Sequence, residues 1–195
     1  MKASGTPVFQ TQTPLAQAFI RLVQRVDRFL VGSSAKAPIA MYLAGGMATH
    51  LYTGARGTTD IDAEYSRRLL LPLDILEQEG TELYFDQNFS TTYALMHEDY
   101  QANALLFDAG TKLLSVRVLT PVDLVLSKLA RFSHKDQFDI DALIRAGLVT
   151  AEEIEKHADE SLCGYVGDTR SLQITIQRVV SEARKLEASE NHRQG

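Results

Sequence analysis

Cysteine is nearly absent from this chain: Cys163 is the single one in 195 residues. That excludes an internal disulfide and a thiolate metal cluster, and it suits a reducing compartment. Long apolar runs are missing as well. Nothing approaches the roughly 18–20 consecutive apolar residues that cross a bilayer, so no membrane partner is expected. The opening stretch MKASGTPVFQTQTP lacks the apolar core of a secretory signal, and the expected location is the cytoplasm. There is no surplus of positive charge either. The net charge of −5 argues against a dedicated nucleic-acid coat, which needs clustered Lys and Arg, though it leaves room for a local basic patch. No internal repeat, His-Glu-x-x-His zinc pattern or Gly-x-Ser-x-Gly elbow occurs.

What is present is ordinary for one globular domain with a helical appendage: 45% hydrophobic and 23% charged residues, enough to bury a core. From Pro14, apolar residues recur at three and four (Leu15, Phe19, Leu22, Val23, Val26, Leu30), which predicts an amphipathic helix ending near Gly32. Ile39 to Leu43 reads as a buried strand, Met47–Tyr52 as a short helix stopped at Gly54, and 72–80 as a helix. Between 81 and 120 the runs ELYF, TTYALM, ALLF and LLSVRVL are β-like. Pro121 opens a helix. Ser133 and the Thr150–Glu153 pair read as caps of two more, Gly147 ends the first of these, and a last helix runs from about Ser171 to Leu186. The expected class is α+β: a small mixed sheet flanked by helices over 1–120, then a helical region over 121–195 packed on it.

The densest stretch is YLAGGMATHLYTGARGTTDIDAEYS, residues 42–66. Asp60 and Asp62 lie two apart on an alternating segment, so both project from one strand face, with Cα atoms ~6.6–7 Å apart. Like charges so placed resist ionising together unless a cation joins them. Mg²⁺ suits the pair, because it takes one or two carboxylates and completes its shell with water and phosphate oxygens. Taken alone, the two aspartates also read as solvated residues of an edge strand. Gly45-Gly46, between a buried strand and a helix, add a turn whose amides attract anions. Glu64 shares the aspartate face one step further along.

The second informative stretch is DLVLSKLARFSHKDQFDIDALI, residues 123–144. Lys128 sits among apolar residues, as a snorkelling lysine does. Asp136 suits the third position of a helix capped by Ser133. Asp136 and Asp139 share one helical face, Lys128 and Arg131 another, so two facing helices would set them across a cleft. Asp139 and Asp141 also read as solvated. His50, His97 and His134 read as surface residues, Cys163 as a small core residue, and Tyr42, Tyr52 and Tyr65 as core packing before base stacking.

An apolar residue, Gly-Gly, a thirteen-residue spacer and Asp-Ile-Asp together resemble the signature of the nucleotidyltransferase fold. The fuller text, with Gly54, Arg56 and Thr58 in the intermediate places, is similar to the AbiEii-like branch, the toxin side of abortive-infection toxin–antitoxin pairs. That branch also carries a Lys-Leu-x-Ala/Ser-x-Arg helix followed by Arg/Lys-Asp-x-x-Asp, which Lys128–Arg131 and Lys135–Asp139 resemble. The two blocks, 38–66 and 121–147, cover about half the chain.

The resemblance implies a nucleotidyltransferase using Mg²⁺ or Mn²⁺ and a nucleoside triphosphate (NTP). Asp60 and Asp62 would hold the metal. Gly45, Gly46, Arg56, Thr58, Lys128 and Arg131 would bind the nucleotide, with Lys128 on its phosphates. Asp136 would order Lys128 or accept a proton. The acceptor would be a tRNA end or a protein side chain, and an antitoxin protein would restrain the enzyme. Many members supply a third carboxylate from a later strand; here 114–118 offers Arg117, with Asp99 and Asp108 as other candidates. A fold retained for nucleotide binding without turnover is the alternative expectation.

Overall fold

The computed structural model of the chain describes residues 7–33, 37–55, 57–72, 75, 83–86 and 89–194. The helix expected over 72–80 falls almost wholly outside them. No described helix is long and apolar enough to cross a membrane. The element order is α1 (Pro14–Gly32), β1 (Ile39–Leu43), α2 (Gly45–Thr53), β2 (Asp60–Tyr65), β3 (Tyr84–Asp86), α3 (Tyr100–Asn103), β4 (Leu105–Leu106), β5 (Leu114–Val118), α4 (Pro121–Leu129), α5 (His134–Arg145), α6 (Ala151–Ser161), a 3₁₀ turn (Leu162–Gly164) and α7 (Thr169–Gln194). The class is α+β, as the alternation of periods anticipates.

The sheet runs β3-β2-β1-β5-β4. β1 lies in the middle, antiparallel to β2 and parallel to β5. Its alternate residues Ile39, Met41 and Leu43 are buried, as are Leu114, Val116 and Val118 of β5. On β2, Ile61 and Ala63 face the core, which leaves Asp60, Asp62 and Glu64 on the opposite face. Burial of each such large apolar side chain contributes roughly 1.5–3 kcal/mol. β3 continues the sheet parallel to β2, pairing Asp60 with Tyr84 and Asp62 with Asp86.

Helix α1 starts at Thr13, whose hydroxyl accepts the Ala16 amide, with Pro14 in the first turn; its buried face carries Phe19, Leu22, Val23 and Val26. It is tied to β5 by Asp27, whose carboxylate accepts the amides of Lys112, Leu113 and Leu114 at 2.9, 2.7 and 2.8 Å. Burial opposes ionisation of Asp27, but the three amides outweigh it and hold its pKa below the usual carboxylate range. The C-terminal helices join the sheet through α2, which packs against α4 and α5; α6 packs against α4, and α7 against α4, α5 and α6.

Several expectations need correcting. TTYALM forms no strand, because Thr91 instead gives its amide and its hydroxyl to Glu64, both at 2.8 Å. The ALLF run shortens to Leu105–Leu106, preceded by the helical turn α3. The last helix is longer than expected and continues to Gln194. His50 is buried: Nε2 pairs with the Thr13 hydroxyl at 2.8 Å and Nδ1 with the Ala55 carbonyl at 2.6 Å. Cys163 is exposed in the 3₁₀ turn, where no core position exists for it.

Candidate active site

The glycine turn and the aspartate strand meet. Leu43 ends β1, the Ala44 amide donates to the Asp62 carbonyl at 2.8 Å, and Gly45 takes a left-handed φ of +62° that turns the chain straight into α2. That conformation carries no steric cost for glycine, unlike for residues with a β-carbon. A second constraint acts on the same atom: a β-carbon on Gly45 would fall inside the Asp62 carboxylate. The N-cap residue is Ala44, with no side-chain cap, so the first amides of α2 open the helix without a capping oxygen from that position. A helix start of this kind attracts anionic oxygen. Thr49 lies one turn on and donates to the Gly45 carbonyl at 3.1 Å.

A cavity of about 830 Å³ opens over this junction. Its floor holds Gly46, Asp60 and Asp62, and its far wall holds Lys128, Arg131 and Lys135. Thr58 lines the rim; its hydroxyl lies 3.3 Å from the Asp60 amide. Arg131 is close enough to Asp62 for the carboxylate charge to help hold the guanidinium protonated, behind the larger contribution of its bond to Asp136. Arg56 lies outside the described residues. Arg67 and Arg68 face a different depression, and Arg67 donates to the Ala37 carbonyl at 3.1 Å.

The cationic wall is built by two helices and the corner between them. Thr120 caps α4 and accepts the Asp123 amide. Lys128, in the last turn of α4, is buried, with 4% of its side chain exposed. Its Nζ lies 2.8 Å from Asp139 Oδ2 and 3.8 Å from Asp136 Oδ1. Phe132 then takes a left-handed φ of +44°, a costly conformation for a non-glycine residue, and the chain reverses into α5. Ser133 caps α5 in a two-way box: its hydroxyl accepts the Asp136 amide, and its own amide donates to the Asp136 carboxylate. Arg131 completes the corner with a fork onto Asp136, Nε to Oδ2 at 2.8 Å and the terminal nitrogen to Oδ1 at 2.7 Å. Asp136 is fully buried. Burial pushes its pKa up, but Arg131 and Ser133 together outweigh burial and bring it down to about 2.

Of the two roles expected of Asp136, ordering Lys128 or accepting a proton, the geometry bears on each: its carboxylate lies 3.8 Å from Lys128, and its oxygens are already engaged by Arg131 and Ser133. Asp139 is not solvated: it is buried and carries the shortest contact to Lys128. Asp141 is exposed, paired with Arg145 at 2.7 Å. Glu64, on the aspartate face, is taken by Thr91 and by the Tyr100 hydroxyl, so it serves the Thr91–Tyr100 segment. Arg117 belongs to β5, two strands from β2, and donates to the Ala104 carbonyl at 3.1 Å. The strand beside β2 is β3, and its register sets Asp86 opposite Asp62. The cavity-lining Tyr84 was not singled out in the sequence. The parity of β3 against β2 would have marked it, but three residues are too few to show a period.

Among the described residues, no group of three or more His, Cys, Asp or Glu side chains is placed to hold a metal by itself. The chemistry of the floor fits a hard divalent cation none the less: two carboxylates suit Mg²⁺ when phosphate oxygens and water supply the remaining ligands. The Asp62–Gly45 contact supports that fit, because it sets a carboxylate beside an anion-seeking helix start.

The glycine turn, the Asp-x-Asp strand and the cationic wall thus meet at one cavity. The chain belongs to the family described as nucleotidyltransferase of unknown function (DUF6036), whose model matches residues 17–184. No curated protein matches the chain, and no solved structure does.

Proposed function

We propose that the protein moves a nucleotidyl group from an NTP to a hydroxyl acceptor, with a divalent cation held by Asp60 and Asp62. The observation that carries this reading is the Asp62–Gly45 contact under a cavity walled by Lys128 and Arg131. The metal would be Mg²⁺, or Mn²⁺ in its place, and would supply charge neutralisation at the reacting phosphate. The α2 amides at Gly45-Gly46 receive the terminal phosphates. Lys128 and Arg131 offset charge that grows on the departing pyrophosphate. In the transfer, the acceptor oxygen bonds to the α-phosphorus and the bond from that phosphorus to the bridging oxygen breaks. Pyrophosphate leaves with the electron pair, and the acceptor proton is lost to solvent. Thr58 sits where it can contact sugar or phosphate at the rim.

The finer assignment, an AbiEii-like toxin acting on tRNA or on a protein and restrained by an antitoxin, rests on the two motif blocks. Gly46, Asp60 and Asp62 of the first block and Lys128 and Arg131 of the second line one cavity, which supports treating the blocks as one functional unit. The test is incubation of the purified protein with each labelled NTP, Mg²⁺, and either total tRNA or a protein extract. Label transfer that disappears in Asp60→Ala and in Asp62→Ala is the expected result. A second reading, nucleotide binding without turnover, has one observation in its favour: the Asp136 oxygens already accept from Arg131 and Ser133, which leaves the expected proton acceptor engaged. Saturable NTP binding with no transfer to either acceptor would select that reading.

A further inference from the structure

We propose that Tyr84 is a stacking platform for the terminal nucleobase of a single-stranded nucleic-acid acceptor. This deepens the transferase reading and rests on it for the direction of attack. Tyr84 is 64% exposed, which leaves its ring open to a ligand in the cavity. It lines the same cavity as Asp60, and the two residues are register partners on adjacent parallel strands. Strand neighbours stand about 4.8 Å apart, so the ring rises next to the carboxylate. The Tyr84 amide donates to the Thr59 carbonyl at 2.8 Å, which fixes the backbone beneath it. Among the described residues, the ring–ring and cation–ring contacts all lie elsewhere.

The side on which Tyr84 lies identifies what it meets. Across the sheet the order is glycine turn and α2, then β2 with the aspartates, then β3 with Tyr84. Phosphoryl displacement keeps the attacking and leaving oxygens roughly in line. The leaving pyrophosphate belongs with the α2 amides and with Lys128 and Arg131. The attacking hydroxyl therefore arrives from the β3 side, over Tyr84. A base next to that hydroxyl finds an exposed phenol ring. Aromatic rings serve bases in this way without demanding a sequence. A protein acceptor offers a flat ring only at particular residues, so the exposed tyrosine favours nucleic acid.

The chain contains no tryptophan, which gives a clean probe. In Tyr84→Trp, short single-stranded RNA with a free 3′ hydroxyl is expected to quench the new fluorescence saturably. The same RNA lacking its terminal base is expected to bind without quenching. In Tyr84→Ala, affinity for that RNA is expected to fall about tenfold, with affinity for the Mg²⁺–NTP pair unchanged and Tyr84→Phe close to the parent protein. Three outcomes would overturn the proposal: no RNA binding by the parent protein, weaker NTP binding with RNA affinity intact in Tyr84→Ala, or transfer to a protein at an unchanged acceptor KM. The two readings fail separately. Loss of the transferase reading shows as no transfer and no effect of Asp60→Ala or Asp62→Ala on NTP binding, whereas the RNA titrations need no turnover.

Discussion

The carboxylate of Asp62 fills the space that a β-carbon of Gly45 would require. The two residues lie seventeen positions apart, and each limits what the other position accepts. The glycine is needed twice over, for its left-handed backbone and for the room it leaves.

Gly45→Ala should therefore cost more than a left-handed alanine elsewhere. Gly54, at φ +65°, has only the Gln10 side chain near the added carbon, at 3.9 Å, and Gly54→Ala should lower stability by about 1–2 kcal/mol with Mg²⁺–NTP binding intact. Gly45→Ala should add about 1–3 kcal/mol of overpacking and should weaken nucleotide binding at least about tenfold by displacing Asp62. Thermal unfolding and calorimetric titration of the two variants compare these directly.

Lys128 and Asp139 form a buried pair, and removing one partner strands the other. Lys128→Met and Asp139→Leu should each lose about 3–5 kcal/mol in urea unfolding. The double variant should recover most of that loss and still fail to bind NTP. If both single variants unfold at the parent's urea midpoint, the pair contributes little to the fold.

Acid sensitivity should trace to Asp136. Its folded pKa, about 2, lies below the ordinary value of 3.8, so the unfolded chain takes up the proton first as pH falls. The stabilisation is complete above about pH 3.8 and is lost as pH drops through about 2. Asp136→Asn should lower stability at pH 7 and flatten this part of the acid limb. Unfolding midpoints from pH 6 down to the lowest pH that permits refolding measure it.

Glu64 should behave unlike its two neighbours on β2. Its oxygens accept from Thr91 and Tyr100. Glu64→Gln should leave Mg²⁺-dependent NTP binding at the parent level while costing about 1 kcal/mol of stability. Equal losses of binding at Asp60, Asp62 and Glu64 would instead extend the metal site to a third residue.

Much of the site was visible in the residues, for physical reasons. Gly45-Gly46 and Asp60-Ile61-Asp62 carry their geometry in spacing: a turn that needs glycine, and a period of two that sets both carboxylates on one face. Caps at Ser133 and Thr150 were legible because a hydroxyl before a helix has one local use, whereas those at Thr13 and Thr120 emerged only in the fold. That Lys128 and Arg131 face Asp136 and Asp139 was legible in helical spacing; that they touch rather than flank a cleft was not, because it depends on the angle at Phe132, a residue whose left-handed backbone nothing in its type announces. TTYALM misled because β propensity was overridden by two hydrogen bonds to Glu64. His50 misled for a related reason, since the Thr13 hydroxyl, thirty-seven positions away, and the Ala55 carbonyl, five positions on, together make a buried imidazole tolerable. Tyr84 went unmarked because its value comes from a neighbour, Asp60, twenty-four residues earlier.

The corner at Ser133 has a broader implication. One carboxylate, Asp136, both nucleates the first turn of α5 and grips the guanidinium at the cleft mouth. The cation therefore borrows its rigidity from the beginning of a helix and has no independent freedom to swing toward substrate. Fraying at that end would slacken the electrostatic grip before the core felt any change, so nucleotide affinity should decline at temperatures well short of global melting.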